Sequence, residues 1–218
     1  MRPAWVFKKW NRAALAFASG VWIVAVGAGM KVILDFQVRS GLPANPPSVW
    51  PTSTRIPTAK RNPTVLVLVH PHCPCTRATL SELARIMASS EGRLDARVLF
   101  AVPPGIDSSW AKTDLWHMAS GIPGVRVFVD RDGAEARRFG VATSGQALVY
   151  DAEGRLQFKG GITAGRGHAG DNAGADAIVS LVDHQPTERS ETPVFGCPLA
   201  APSVEAERSR PSCPSLPR

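Results

Sequence analysis

Apolar residues divide the chain into one long unbroken run, a series of short runs, and stretches with neither. From Ala13 to Met30 it reads AALAFASGVWIVAVGAGM, without a charge. At about 1.5 Å per residue this gives roughly 27 Å of helix, enough to cross a bilayer core. Val32, Ile33 and Leu34 continue it past Lys31, whose stem can snorkel, so the pattern predicts a span over 13–34. The preceding segment 1–12 carries Arg2, Lys8, Lys9 and Arg12, with Trp5 and Trp10 where an interfacial belt would lie. Positive-inside places that end in the cytoplasm and the remainder on the periplasmic side, as a single-pass protein. The competing reading is a signal peptide cleaved at Ala25–Gly27. The apolar run continues past that site, which favours a retained signal anchor.

The next segment, 35–63, has no periodicity. Pro43, Pro46, Pro47, Pro51, Pro57 and Pro63 forbid a helix and predict an extended, semi-rigid spacer. Short patterned runs then define a domain over 64–185. VLVLV (Val65–Val69) is apolar at every position, as a buried central strand requires. Leu80, Leu83, Ala84 and Met87 recur at helical spacing. Further strands are predicted at Ala96–Val102, Val125–Val129, Gln146–Tyr150 and Arg155–Lys159, the last two joined by a hairpin at Asp151–Gly154. Ser108 or Ser109 is expected to cap a helix through Trp110, Leu115 and Met118. A helical turn is expected at Ala136–Phe139, and a last helix opened by Asp171 or Asn172 and carrying Ala177, Ile178, Leu181 and Val182. The predicted order is β-α-β-α-β-β-α, an α/β domain. The remainder, 186–218, reads as mostly disordered, with an apolar segment at 193–199 able to dock.

Composition adds two constraints. The net charge is +7, but much of the excess lies at the ends, and no basic stripe interleaved with aromatics crosses the middle, so a nucleic-acid partner is not expected. Four cysteines are too few to staple a domain of this size. Two of them, Cys73 and Cys75, flank Pro74 where the first strand meets its helix, in His70-Pro71-His72-Cys73-Pro74-Cys75-Thr76-Arg77. Unpaired N–H groups and the positive helix end face Cys73 there and favour its thiolate. Pro74 suits the first helical position. Thr76 is expected to cap the helix or to hydrogen-bond the thiolate, and His70 and His72 to add charge or carry protons. The same four residues, His70, His72, Cys73 and Cys75, also form a ligand set suited to copper, so copper binding or delivery stands as an alternative to redox chemistry without a cofactor. A Cys73–Cys75 disulfide needs a bent backbone at Pro74, because positions i and i+2 of a helix do not face each other. His168, in a Gly-rich stretch over 160–172, is a further candidate, long loops often being functional.

VLVLVHPHCPCTRATLSEL resembles the strand–CxxC–helix of thioredoxin-fold proteins, above all the membrane-anchored, extracytoplasmic thiol:disulfide oxidoreductases. The HPHCPC start, with GGIT, RGH and GDN farther on and PVFGCPL near the end, is similar to the thioredoxin-like proteins labelled RedB. The resemblance implies a central sheet with flanking helices, protein thiols and disulfides as substrates, and Cys73 as the exposed nucleophile. The family's second cysteine falls on Thr76. Its cis-proline loop falls on Ala142–Gly145, with Ser144 in the loop and Gly145 where the proline would stand. Cys75 is expected to resolve the mixed disulfide, with Cys197 as the less favoured choice. A thiol peroxidase is a second alternative, weakened because His70 stands where such proteins place a threonine. Cys213 is read as a bystander.

Overall fold

A computed structural model describes residues 12–187 and 189–199. The basic and Trp residues before Arg12, the tail after Leu199 and Cys213 with it lie outside the described residues. The chain divides after Val38 into two units. The first contains α1 (Arg12–Val38), which continues beyond the expected end at Leu34. It is long and apolar enough to cross a membrane. Its two late charges, Lys31 and Asp35, pair one turn apart at 2.5 Å.

The second unit is built on one five-stranded sheet. Its elements are β1 (Thr64–Val69), α2 (Pro74–Ser89), β2 (Asp95–Val102), α3 (Asp114–Ser120), β3 (Val125–Arg131), α4 (Ala134–Arg138), β4 (Gln146–Tyr150), β5 (Leu156–Gly161) and α5 (Ala173–Val182). The strand order is β3-β2-β1-β4-β5. β1, β2 and β3 run parallel; β4 pairs antiparallel with β1, and β5 antiparallel with β4. This is the expected thioredoxin-like arrangement. β1 is central and buried at every position because both faces of the sheet are covered. Val65, Val67 and Val69 meet Leu80, Leu83 and Ile86 of α2 and Ile178 of α5 on one face. Leu66 and Leu68 point the other way.

On that second face the structure departs from the sequence reading. Leu66, Leu68, Leu99, Leu148 and Tyr150 need a cover, and α4 has only five residues. The proline-rich segment supplies the rest, so its residues after Val38 are part of the domain and not a free spacer. Ala44 and Ile56 are buried there, and the Trp50 ring meets Phe139 and Tyr150 edge-on at centroid distances of 5.0 and 5.1 Å. Asn45 N–H donates to Gly140 O, Trp50 N–H to Gly154 O, and fully buried Arg97 reaches Pro57 O with Nε. Proline explains the missing helix; apolar residues between the prolines explain the docking.

Smaller differences are local. Asp107, not a serine, caps a 3₁₀ turn at Ser108–Ala111, and Thr113 then opens a separate α3. Asn172 caps α5, its side chain accepting from Ala175 N–H at 2.8 Å.

Candidate functional site

The site lies at the carboxyl end of β1, where the chain order reverses between parallel β2 and antiparallel β4. Open α/β sheets leave a crevice at such a point. Cys73 is the N-cap of α2, with extended backbone (φ −89°, ψ 121°), and Pro74 is the first helical residue. Cys73 thus stands at the first turn of α2, where Thr76 N–H donates to its carbonyl oxygen at 3.0 Å.

Thr76 does not cap the helix through its side chain. Its hydroxyl donates to His70 O at 3.0 Å and meets the Ser144 hydroxyl at 3.2 Å. Ser144 Oγ in turn accepts the His70 N–H at 2.9 Å. This buried network ties the β1–α2 turn to the loop before β4. Gly145 adopts a left-handed conformation (φ 90°) and donates its N–H to Leu68 O at 2.8 Å.

Cys197 completes the site. After α5 the chain returns across the sheet edge, and Thr143 and Pro198 form an antiparallel bridge. Ser144 N–H donates to Cys197 O at 2.8 Å and Leu199 N–H to Ala142 O at 2.9 Å. Pro198 occupies the non-hydrogen-bonded position between these two bonds, where its missing N–H costs nothing. Leu199 is buried in the second core. Gly196 passes so close to Ser144 O that a Cβ would stand 1.8 Å from it. The outcome is a Cys73 Sγ to Cys197 Sγ distance of 3.2 Å.

The sequence reading preferred Cys75 as the partner of Cys73. In the structure Cys75 sits in the first helical turn, and Cys197, delivered by a separate strand, stands 3.2 Å from Cys73.

Electrostatics rank the thiols. Burial pushes Cys73 up, but hydrogen bonds from the Cys197 thiol and from the N–H groups of Cys197, Cys75 and Thr76 outweigh it, holding Cys73 below the ordinary thiol value. Cys197 is pushed up to about 11 by burial and by donating to Cys73. Burial and the neighbouring Cys73 also raise Cys75, with Arg166 acting in opposition. Of the close pair, Cys73 is therefore the thiol that ionises first.

Both histidine rings gather on Trp110, at centroid distances of 5.4 Å for His70 and 4.4 Å for His72. His70 Nδ1 accepts the His72 N–H at 3.2 Å. Burial, then the charge of His72, lowers the His70 pKa. Among the described residues, no group of three or more His, Cys, Asp or Glu side chains is placed to hold a metal ion. His168 is exposed and bonds its own loop, with Nδ1 3.0 Å from Arg166 O. Its neighbour Arg166, which the sequence did not single out, is the residue of that loop that reaches the cysteines.

Cys73 is 2% exposed, so the exposed nucleophile that the resemblance implies is instead a buried sulfur, covered by the β1–α2 turn and the returning Cys197 segment. A cleft of about 210 Å³ opens beside it, lined by His72, Pro74, Arg77, Thr113 and Asp114 among others, and Cys197 is not in its wall.

No protein-family model matches the chain, and no curated protein matches it either. Solved structures do. An uncharacterised conserved protein from Geobacillus kaustophilus superposes with a TM-score of 0.54 at 16% identity, over 76% of this chain and 94% of its own. A hypothetical protein from Sinorhizobium meliloti 1021 gives 0.51 at 18% identity, over 74% and 94%. A secreted Mycobacterium tuberculosis disulfide oxidoreductase gives 0.41 at 18% identity, over 57% and 83%. At these identities the first two likenesses are of fold alone, and the strand order β3-β2-β1-β4-β5 with its flanking helices makes that fold thioredoxin-like.

Proposed function

We propose that this protein is a membrane-anchored thiol–disulfide oxidoreductase of the RedB-like kind, held by α1 with its domain outside the cytoplasm, and that Cys73 and Cys197 are its redox pair. The observation that carries this reading is the 3.2 Å contact between an acidified sulfur at a helix N-terminus and a second thiol brought from the far end of the chain.

In the reducing direction the Cys73 thiolate attacks one sulfur of a substrate disulfide that enters by the cleft. The substrate's other sulfur leaves as a thiolate and takes a proton from solvent. Cys197 then loses its proton to solvent and attacks the Cys73 sulfur. The substrate's first sulfur leaves as a thiolate and is protonated. The substrate has gained two electrons and two protons, and the protein holds a Cys73–Cys197 disulfide. Each step is reversible, so the poise of the partner sets the direction. The low pKa of Cys73 makes it both the available nucleophile and the better leaving group.

The test is turnover of a small aromatic disulfide by the full chain in detergent, with Cys213→Ser throughout. Cys73→Ser should abolish it. Cys197→Ser should accumulate a mixed disulfide on Cys73, and Cys75→Ser should continue to turn over. Turnover retained in Cys197→Ser, with the mixed disulfide trapped in Cys75→Ser, would reverse the assignment.

A further inference from the structure

The Gly-rich loop between β5 and α5 is built to aim one side chain. Glu82 of α2 is buried, its side chain 3% exposed, and accepts from Gly170 N–H at 2.7 Å and Asn172 Nδ2 at 3.4 Å. That fixes the loop's base. At its tip, Gly165 and His168 form a bridge, closed by His168 N–H donating to Gly165 O at 3.3 Å. Gly167 supplies the left-handed residue the turn needs (φ 70°). Arg166 projects from this turn. Its Nη1 donates to Gly196 O at 2.7 Å, on the residue before Cys197. Its guanidinium also hydrogen-bonds the Cys75 thiol and acts on Cys197 through its charge.

We propose that Arg166 is the positioning residue of the redox pair: it latches the returning strand at Gly196 so that Cys197 stays within reach of Cys73, and it holds positive charge against the two thiols that are not the nucleophile. This rests on the Cys73–Cys197 reading above and goes beyond it. A resolving thiol must become a thiolate to attack. Burial and the negative charges of Cys73 and Cys75 oppose that for Cys197, and Arg166 is the cationic group acting on it in favour. Around Cys75 the acting groups are Cys73, which opposes ionisation, and Arg166, which favours it. One guanidinium thus combines two tasks. A planar donor fork can bond a carbonyl and a sulfur together, whereas an ammonium supplies charge without that geometry.

The experiment uses the full chain in detergent, with Cys213→Ser, and compares Arg166, Arg166→Met and Arg166→Lys. In a Cys73→Ser background, iodoacetamide alkylation against pH, read by peptide mapping, gives the midpoints of Cys75 and Cys197. Arg166→Met should move both upward by roughly half a pH unit or more, as loss of a nearby opposite charge requires, and Arg166→Lys should recover most of the shift. With Cys73 restored, equilibration in glutathione buffers gives the Cys73–Cys197 disulfide population. Its formation constant should fall about tenfold in Arg166→Met, and Arg166→Lys should recover it only partly, lacking the fork. Unchanged midpoints and an unchanged constant in Arg166→Met would overturn the proposal while leaving the redox pair standing. So would a lower melting temperature without either shift, which would mark Arg166 as a structural staple. Absence of a Cys73–Cys197 disulfide in the unsubstituted chain would overturn the redox pair itself, and this proposal with it.

Discussion

Gly196→Ala tests whether the returning strand makes the site. Its φ does not lie in the left-handed region, so alanine carries no backbone strain there. The obstacle is a neighbour. A Cβ would lie 1.8 Å from Ser144 O and 2.9 Å from Ser144 C. Neither atom can yield, because both belong to the loop tied by Ser144 to His70 and Thr76. The strand must lift instead. Two backbone hydrogen bonds go, from Ser144 N–H to Cys197 O and from Leu199 N–H to Ala142 O, at about 0.5–1.5 kcal/mol each. The burial of Leu199 is worth a further 1.5–3 kcal/mol or so. A segment held by a few kcal/mol is then mostly undocked.

The consequence reaches Cys73. Two of the hydrogen bonds that lower its pKa come from Cys197, one from the thiol and one from the N–H. Without them Cys75 and Thr76 remain as the opposing donors, and a Cys73 sulfur that stays buried titrates higher. The assay is the pH dependence of Cys73 alkylation in the reduced chain. The midpoint should move up, and the rate at pH 7 should fall. Linkage gives a second sign. A thiol whose folded pKa lies below its unfolded value adds stability that is complete above the unfolded value and lost as pH falls through the folded one. Gly196→Ala should therefore remove part of the stability gained between those two values. An unshifted midpoint, with the Cys73–Cys197 disulfide still forming at the original rate, would refute the argument.

Glu82→Gln should cost about 1–3 kcal/mol in urea unfolding, since an amide replaces the buried carboxylate that accepts from Gly170 and Asn172. A chain begun at Arg39 should melt where the full domain does, while one begun at Thr64 should be several kcal/mol less stable, having lost the cover given by Ala44, Trp50 and Ile56. Equal melting of the two would restore the spacer reading. The His70 ring protons should titrate by NMR at a midpoint below the ordinary histidine value, and His72→Ala should move that midpoint up, because the charge of His72 contributes to lowering it. Movement downward would contradict the arrangement around Trp110.

Local pattern alone determined the apolar helix, the wholly buried β1 and the place of Cys73 where β1 meets α2. Each depends on residues within a few positions of one another, and a strand's period or a helix's first free N–H groups can be read from such a window. Which thiol meets Cys73 cannot. Cys197 lies 124 positions away along the chain, and its place depends on Gly196 passing Ser144, on Pro198 falling between two ladder bonds, and on Leu199 finding the second core. Arg166 and the docked proline-rich segment belong to the same class. Their signals were ordinary residues in irregular chain, and only the uncovered face of the sheet and the carbonyl of Gly196 gave them partners. Periodicity is a local property, whereas the pairing of irregular segments follows from which surfaces the folded sheet leaves unsatisfied.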